Sequence, residues 1–270
     1  MIIPNKPMSG LEKFKLIPTS PSTINDFAKN PCKLILRKLF GYEFESNCAI
    51  ERGNVTEEHL PAFLEGSITV EETVELAVKS FKSKCNLNMK DYDKELATIP
   101  CLVRGACNEL HNKFGKLLEY QGKVKGNIDG YDCHGFTDFV FKEKNSDKKI
   151  IVDLKTTAKT PSKLNTAHAR QISIYGKIMN CDAQLLYLIP SRKTDRKTKQ
   201  VTYTSNAIWV ELDDKQKFLD STIDILKSMD LLLYNCNDKY EVAKMFYPDV
   251  DDWSWSSPKL IEARKKVWGL

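Results

Sequence analysis

The sequence predicts an α/β domain of the α+β kind, in which a central mixed β-sheet is flanked by helices behind a mainly helical N-terminal part. Three observations carry that prediction. Apolar residues recur at helical spacing through the first hundred or so positions, then switch to strand-like alternation from Glu119. The dipeptide Asp129-Gly130 stands between two alternating runs, EYQGKVKGNI and YDCHGFTDFVF, which marks a hairpin. The order of elements after it (strand, helix, strand, strand, helix) is that of a sheet covered by helices.

Residues 1–17 read as a loosely ordered leader. Ser20 or Ser22 caps a helix from about Thr23 to Gly41, which Pro31 breaks or kinks. Residues 55–65 and 70–84 are further helices, the second clearly amphipathic, and 91–118 adds at least one more after Pro100. IIVDLKTT forms the strand after the polar turn at 142–149. A helix over about Asn165–Met179, the strand AQLLYLIP, a basic loop at 191–199, the strand VTYTSNAIWVEL and a helix over about Asp213–Tyr234 complete the order. We read 1–270 as one domain: a helical part (1–118), a sheet-and-helix core (119–235) and a tail (236–270), with Trp253, Trp255 and Trp268 packing the tail.

The 270 residues suffice for one sizeable core, and 41% hydrophobic with 29% charged residues is an ordinary globular balance. The net charge of +5 permits nucleic-acid binding without demonstrating it. No apolar run is long enough for a membrane span, and MIIPNKPMSG lacks the pattern of a secretory signal, so we expect an intracellular, cytoplasmic protein. The eight cysteines form no CxxC pair, which points to free, mostly buried thiols.

The chemistry concentrates in 133–155. Alternation along a strand puts Phe136, Asp138 and Val140 on one face and Ile151, Asp153 and Lys155 on the neighbouring one. Two carboxylates and an ammonium among apolar residues are unfavourable unless paired or bound to metal. Asp138 and Asp153 are hard oxygen ligands suited to Mg²⁺ or Mn²⁺, the backbone carbonyl of Leu154 is a third donor, and Lys155 orients or deprotonates a water. The competing reading is a cross-strand salt bridge on a solvated sheet face. Gln171 and Tyr175, at i and i+4, project from one side of the following helix.

These residues resemble the restriction-endonuclease-like, or PD-(D/E)xK, superfamily of nucleases, and within it the RecB-like branch that includes phage exonucleases. The matching motifs are Gly135-Phe136-Thr137-Asp138, then Asp153-Leu154-Lys155, then Gln171-Ile172-Ser173-Ile174-Tyr175, in the order and strand, strand and helix contexts of that branch. The resemblance implies a restriction-endonuclease-like core and a metal-dependent DNA exonuclease of recombination, repair or degradation. Asp138, Asp153, Lys155, Gln171 and Tyr175 are then catalytic. It further implies a metal-binding His after a glycine, for which RGNVTEEHL offers Gly53 and His59, with Glu58 as the fallback. Several relatives hold an iron–sulfur cluster, and Cys32 resembles its first ligand. The tail lacks the other cysteines, so no cluster is expected.

Arg192, Lys193, Arg196, Lys197 and Lys199 are DNA-backbone contacts or a solvated tip. The expected partner is DNA with a free end, with a recombination or single-strand-binding protein as a further candidate, in the host cytoplasm if the chain is phage-encoded. Oligomeric state stays open. The alternatives are a non-catalytic DNA-binding or assembly module that keeps the fold, and a structural protein with surface ion pairs.

Overall fold

A computed structural model describes residues 8–144, 146–252, 255 and 257–270. Trp253, Asn145 within the predicted turn, and the first seven residues of the predicted leader lie outside the described residues. The fold is α+β, 49% helical and 22% strand, with an open five-stranded mixed sheet. The chain forms two compact units, interleaved in sequence: 1–44, 125–135 and 216–270 in the first, 45–124 and 136–215 in the second.

In the first unit, helix α1 (Gly10–Lys13) lies within the predicted leader, where Ser9 and Glu12 form a capping box and Leu11 is fully buried. Ser20 is the residue that caps α2 (Pro21–Lys29), its side chain accepting the Thr23 N–H. The helix predicted over about 23–41 is broken at Pro31, one of the two outcomes expected there. Pro31 opens a new helix, α3 (Pro31–Leu34), capped by Asn30, and a π-helical turn over Ile35–Leu39 follows. Proline at a first helical position has no N–H to lose, so it starts a helix more readily than it continues one. Helices α9 (Lys215–Tyr234), α10 (Lys239–Lys244) and α11 (Pro258–Trp268) follow the sheet in sequence. Trp255 is buried in a cluster with Cys32, Leu36 and Ala263, against which Trp268 packs edge-on.

In the second unit, α4 (Cys48–Glu58) and α5 (Leu60–Leu64) replace the one helix predicted over 55–65, and His59 is the joint between them. The capping box of Thr69 and Glu72 starts α6 (Val70–Lys84), over the predicted range. Helix α7 (Tyr92–Lys113) runs straight through Pro100, which the sequence reading placed before the helix. The reason is tertiary. Tyr92, Ile99, Leu102, Val103, Ala106 and Leu110 form one apolar stripe on both sides of the proline, and all enter the core. Burying that stripe outweighs the hydrogen bond that Pro100 removes.

The strands are β1 (Leu117–Ile128), β2 (Tyr131–Lys142), β3 (Lys149–Thr156), β4 (Asp182–Thr194) and β5 (Val201–Glu211), in the spatial order β1-β2-β3-β4-β5. At the β1–β2 turn Asp129 and Gly130 both have positive φ (50° and 91°), the conformation for which Asp-Gly is suited. The β2–β3 and β4–β5 pairs are antiparallel and β3–β4 is parallel, the crossover being α8 (Thr166–Met179). Phe139, Phe141, Ile150, Val152 and Leu154 face the core shared with α4–α7, while α8 packs against β3 and β4. Among the described residues no helix is long and apolar enough to cross a membrane.

Candidate active site

The register Phe139↔Val152 and Val140↔Ile151 brings β2 and β3 together, and one step further along lie Asp138 and Asp153. There the ladder gives way to side chains. Asp138 Oδ2 accepts the Leu154 N–H at 2.9 Å and faces Lys155 Nζ at 3.4 Å. Lys155 Nζ also stands 2.8 Å from Asp153 Oδ2. Asp153 is only 1% exposed, and Gln171 Nε2 donates to its Oδ1 at 2.8 Å. Its buried Oδ2 is compensated by the Lys155 ammonium. Tyr175 is buried, with the Phe136 backbone N–H directed at its hydroxyl. Asp138, Asp153, Lys155, Gln171 and Tyr175 are thus gathered at the C-terminal end of β3.

Electrostatics mark the same place. Burial, then the charge of Asp153, pushes the Asp138 carboxyl up to about 7. Burial works against the charge of Lys155, but Asp153 and Asp138 outweigh it and raise the lysine above its ordinary value. Burial pushes the Tyr175 phenol up to about 12, with Asp153 adding to it.

A third carboxylate belongs to this field and was missed. Glu57, on α4, is pushed up to about 8 by burial and then by Asp138, with Lys155 opposing and Asp153 adding. The available signal was the i, i+4 pair Gly53 and Glu57 on α4. Gly53 on the same helix lies against β3: a Cβ there would lie 3.4 Å from Thr156 Oγ1, in ordinary contact. The residues chosen from the sequence are engaged elsewhere. His59 Nε2 is 2.9 Å from Ser80 Oγ on α6, and Glu58 Oε2 accepts from Lys84 Nζ at 2.9 Å. What the structure ties to the site from Leu154 is its N–H rather than its carbonyl, although Leu154 lines an adjoining cavity of about 400 Å³.

One turn back on α4, Arg52 is 4% exposed and forms a buried ion pair with Glu95 of α7. Its Nη2 also donates to the Thr156 carbonyl at 3.3 Å and to Thr156 Oγ1 at 3.2 Å, tying α4 and α7 to the end of β3 next to Lys155.

The residues suit a hard dication by chemistry and by charge. Asp138, Asp153 and Glu57 are oxygen donors, and one ammonium stands against three carboxylates. Among the described residues no group of three or more His, Cys, Asp or Glu is assembled closely enough to hold an ion by itself.

The basic segment is a hairpin rather than a loop over 191–199. Arg192 and Lys193 lie in β4, paired with Tyr203 and Thr202, and Asp195 Oδ1 closes the turn by accepting the N–H groups of Lys197 (2.8 Å) and Thr198 (2.7 Å). Arg192, Lys193, Arg196, Lys197 and Lys199 are all exposed.

No family model matches this chain, and no curated protein matches it. Among solved structures it aligns with SSO0001 at 14% identity and a TM-score of 0.31, over 81% of this chain and 91% of that one. It also aligns with LHK-Exo in complex with dAMP at 13% identity and a TM-score of 0.38, over 84% and 94%.

Proposed function

We propose that the chain is a divalent-metal-dependent deoxyribonuclease, acting as an exonuclease on DNA with a free end in recombination, repair or degradation. The observation that carries this reading is the crowding of carboxyl groups at the end of β3, which pushes Asp138 up to about 7 and Glu57 up to about 8. Asp138 and Asp153 share one ammonium, that of Lys155, and Glu57 lies within the field of all three. A structural ion pair needs one carboxylate per ammonium, whereas a site for a dication and a phosphate needs this surplus.

Mg²⁺ or Mn²⁺ held by Asp138 and Asp153, with Glu57 as a further donor through water, would supply charge stabilisation on the phosphate and a more acidic water. The chain's own groups do the rest. Gln171 holds Asp153 Oδ1 and so fixes the direction of Oδ2. Tyr175 pins the backbone at Phe136, two residues before Asp138. Lys155 keeps its proton while both aspartates face it, so it neutralises phosphate charge and presents N–H groups to a water; it accepts a proton only when those carboxylates are engaged elsewhere. Gln171 and Tyr175 are positioning residues on this reading.

The test is digestion of end-labelled linear and closed circular DNA with Mg²⁺ or Mn²⁺, beside an EDTA control and Lys155→Ala. We expect metal-dependent loss of the linear DNA alone, reduced about 10²–10⁴-fold in the variant, with the label reporting polarity. Cutting of the circle would make the enzyme an endonuclease. Binding without cleavage would favour a DNA-binding or assembly module. Glu57→Gln should raise the metal concentration needed for half-maximal activity about 10–100-fold, and His59→Ala should leave it in place; the reverse result would restore His59 as the ligand.

A further inference from the structure

The segment joining β3 to α8 lines a cavity of about 640 Å³ whose other walls are Lys155, Thr156, His168 and Tyr187. Three of its lining residues are lysines (Lys155, Lys159 and Lys163), several carry hydroxyls, and none is Asp or Glu. The smaller cavity on the α4 side, about 400 Å³, also has Lys155 and Thr156 in its wall but includes Glu57 and Arg52. The two spaces therefore adjoin at the residue that would face the scissile phosphate, and they differ in charge. The larger is cationic throughout, and the smaller carries the third carboxylate.

Two further contacts shape the larger cavity. The Thr157 N–H donates to the Leu188 carbonyl at 3.0 Å, pinning the start of the segment to β4. His168 Nδ1 lies 2.8 Å from the Tyr187 hydroxyl, and the Asn165 N–H is directed at that same hydroxyl. The Tyr187 hydroxyl thus holds the His168 ring at the wall of the cavity.

We propose that this cavity is the track for the substrate strand on one side of the scissile phosphate, taking single-stranded DNA. On this view Lys159 and Lys163 contact the backbone phosphates next to the one at Lys155, and His168 is a further donor to them. The inference rests on the nuclease reading of the same site. Volumes of about 300–1,000 Å³ enclose one small molecule, so the space takes a nucleotide or two of one strand and not a duplex. Lysines facing a backbone with hydroxyls beside them contact it without regard to sequence.

The test uses the double variant Lys159→Ala/Lys163→Ala, whose side chains are exposed and leave the core untouched. A fluorescein-labelled dT12 strand is titrated in EDTA over a series of salt concentrations, and KM for linear DNA is measured with Mg²⁺. The expected result is a Kd for dT12 raised about tenfold, a salt dependence of log K shallower by about 1–2, and a parallel rise in KM. Unchanged Kd, salt slope and KM in a variant of an enzyme that cuts DNA would overturn the track and leave the nuclease reading standing. A wild-type protein that binds dT12 through these lysines but never cuts would do the opposite. Failure of the wild type to bind or cut would remove both.

Discussion

At the C-terminal end of β3, Asp138, Asp153 and Lys155 lie where α8 packs and α4 approaches, whereas at the tip of the β4–β5 hairpin Arg192, Lys193, Arg196 and Lys197 stand in solvent. Both regions belong to one sheet and both are rich in charge. At the first, burial and the neighbouring charge of Asp153 push the Asp138 carboxyl up to about 7, and Leu154, Lys155 and Gln171 hold the two carboxylates. At the second, water and salt screen every cation, and the geometry comes from strand pairing and the Asp195 turn. Charge in a sequence thus acquires chemistry through burial.

The sharpest way to break the comparison is to remove a buried carboxylate. Asp138→Ala and Asp153→Ala should each abolish cleavage, by about 10³-fold or more, with the far-UV circular dichroism retained. Full activity in both variants would return the cluster to a structural ion network. Next in size is Arg52→Ala, which strands Glu95 in the core and should lower the unfolding free energy by about 3–5 kcal/mol in denaturant titrations. A loss below about 1 kcal/mol would show that the pair is solvated like a surface one.

A smaller effect separates the regions by pH. Asp138 binds its proton more tightly folded than unfolded, so its contribution to stability is complete below the ordinary value of 3.8 and is lost as pH rises through about 7. In EDTA, wild-type stability should therefore fall by about 1–3 kcal/mol between about pH 5 and pH 8, and Asp138→Asn should flatten that slope. A wild-type profile that rises over the same range would contradict the assignment. The smallest effect belongs to the tip. Replacing Arg192, Lys193, Arg196 and Lys197 with Ala should change stability by no more than about 0.5 kcal/mol. Any loss of DNA affinity should appear at low salt and vanish at high salt.

Much of this was legible without coordinates, because local rules carried it. The capping box at Thr69 starts α6, Asp129-Gly130 sets the hairpin turn, and alternation in 136–141 and 150–155 places Asp138, Asp153 and Lys155 together once two strands pair. The spacing of Gln171 and Tyr175 likewise named the side of α8 that meets β3. Local rules failed where distant residues outweighed them. Pro100 lies within α7 because an apolar stripe continues across it. The strands of the β4–β5 hairpin extend through residues that composition assigns to a loop, because each strand supplies the other's hydrogen bonds.

The strand and helix periods and the identities of the reacting groups follow from covalent geometry and side-chain chemistry, which are local properties of the chain. Which carboxylate joins the site does not. Glu57, Glu58 and His59 are consecutive on a short stretch, and each offers a donor. Glu57 feels the charges of Asp138 and Asp153, whereas Glu58 pairs with Lys84 and His59 with Ser80, and Arg52 ties α4 to Thr156 about a hundred positions away. Such contacts depend on the summed free energy of the packed core, and no window of the sequence contains that sum.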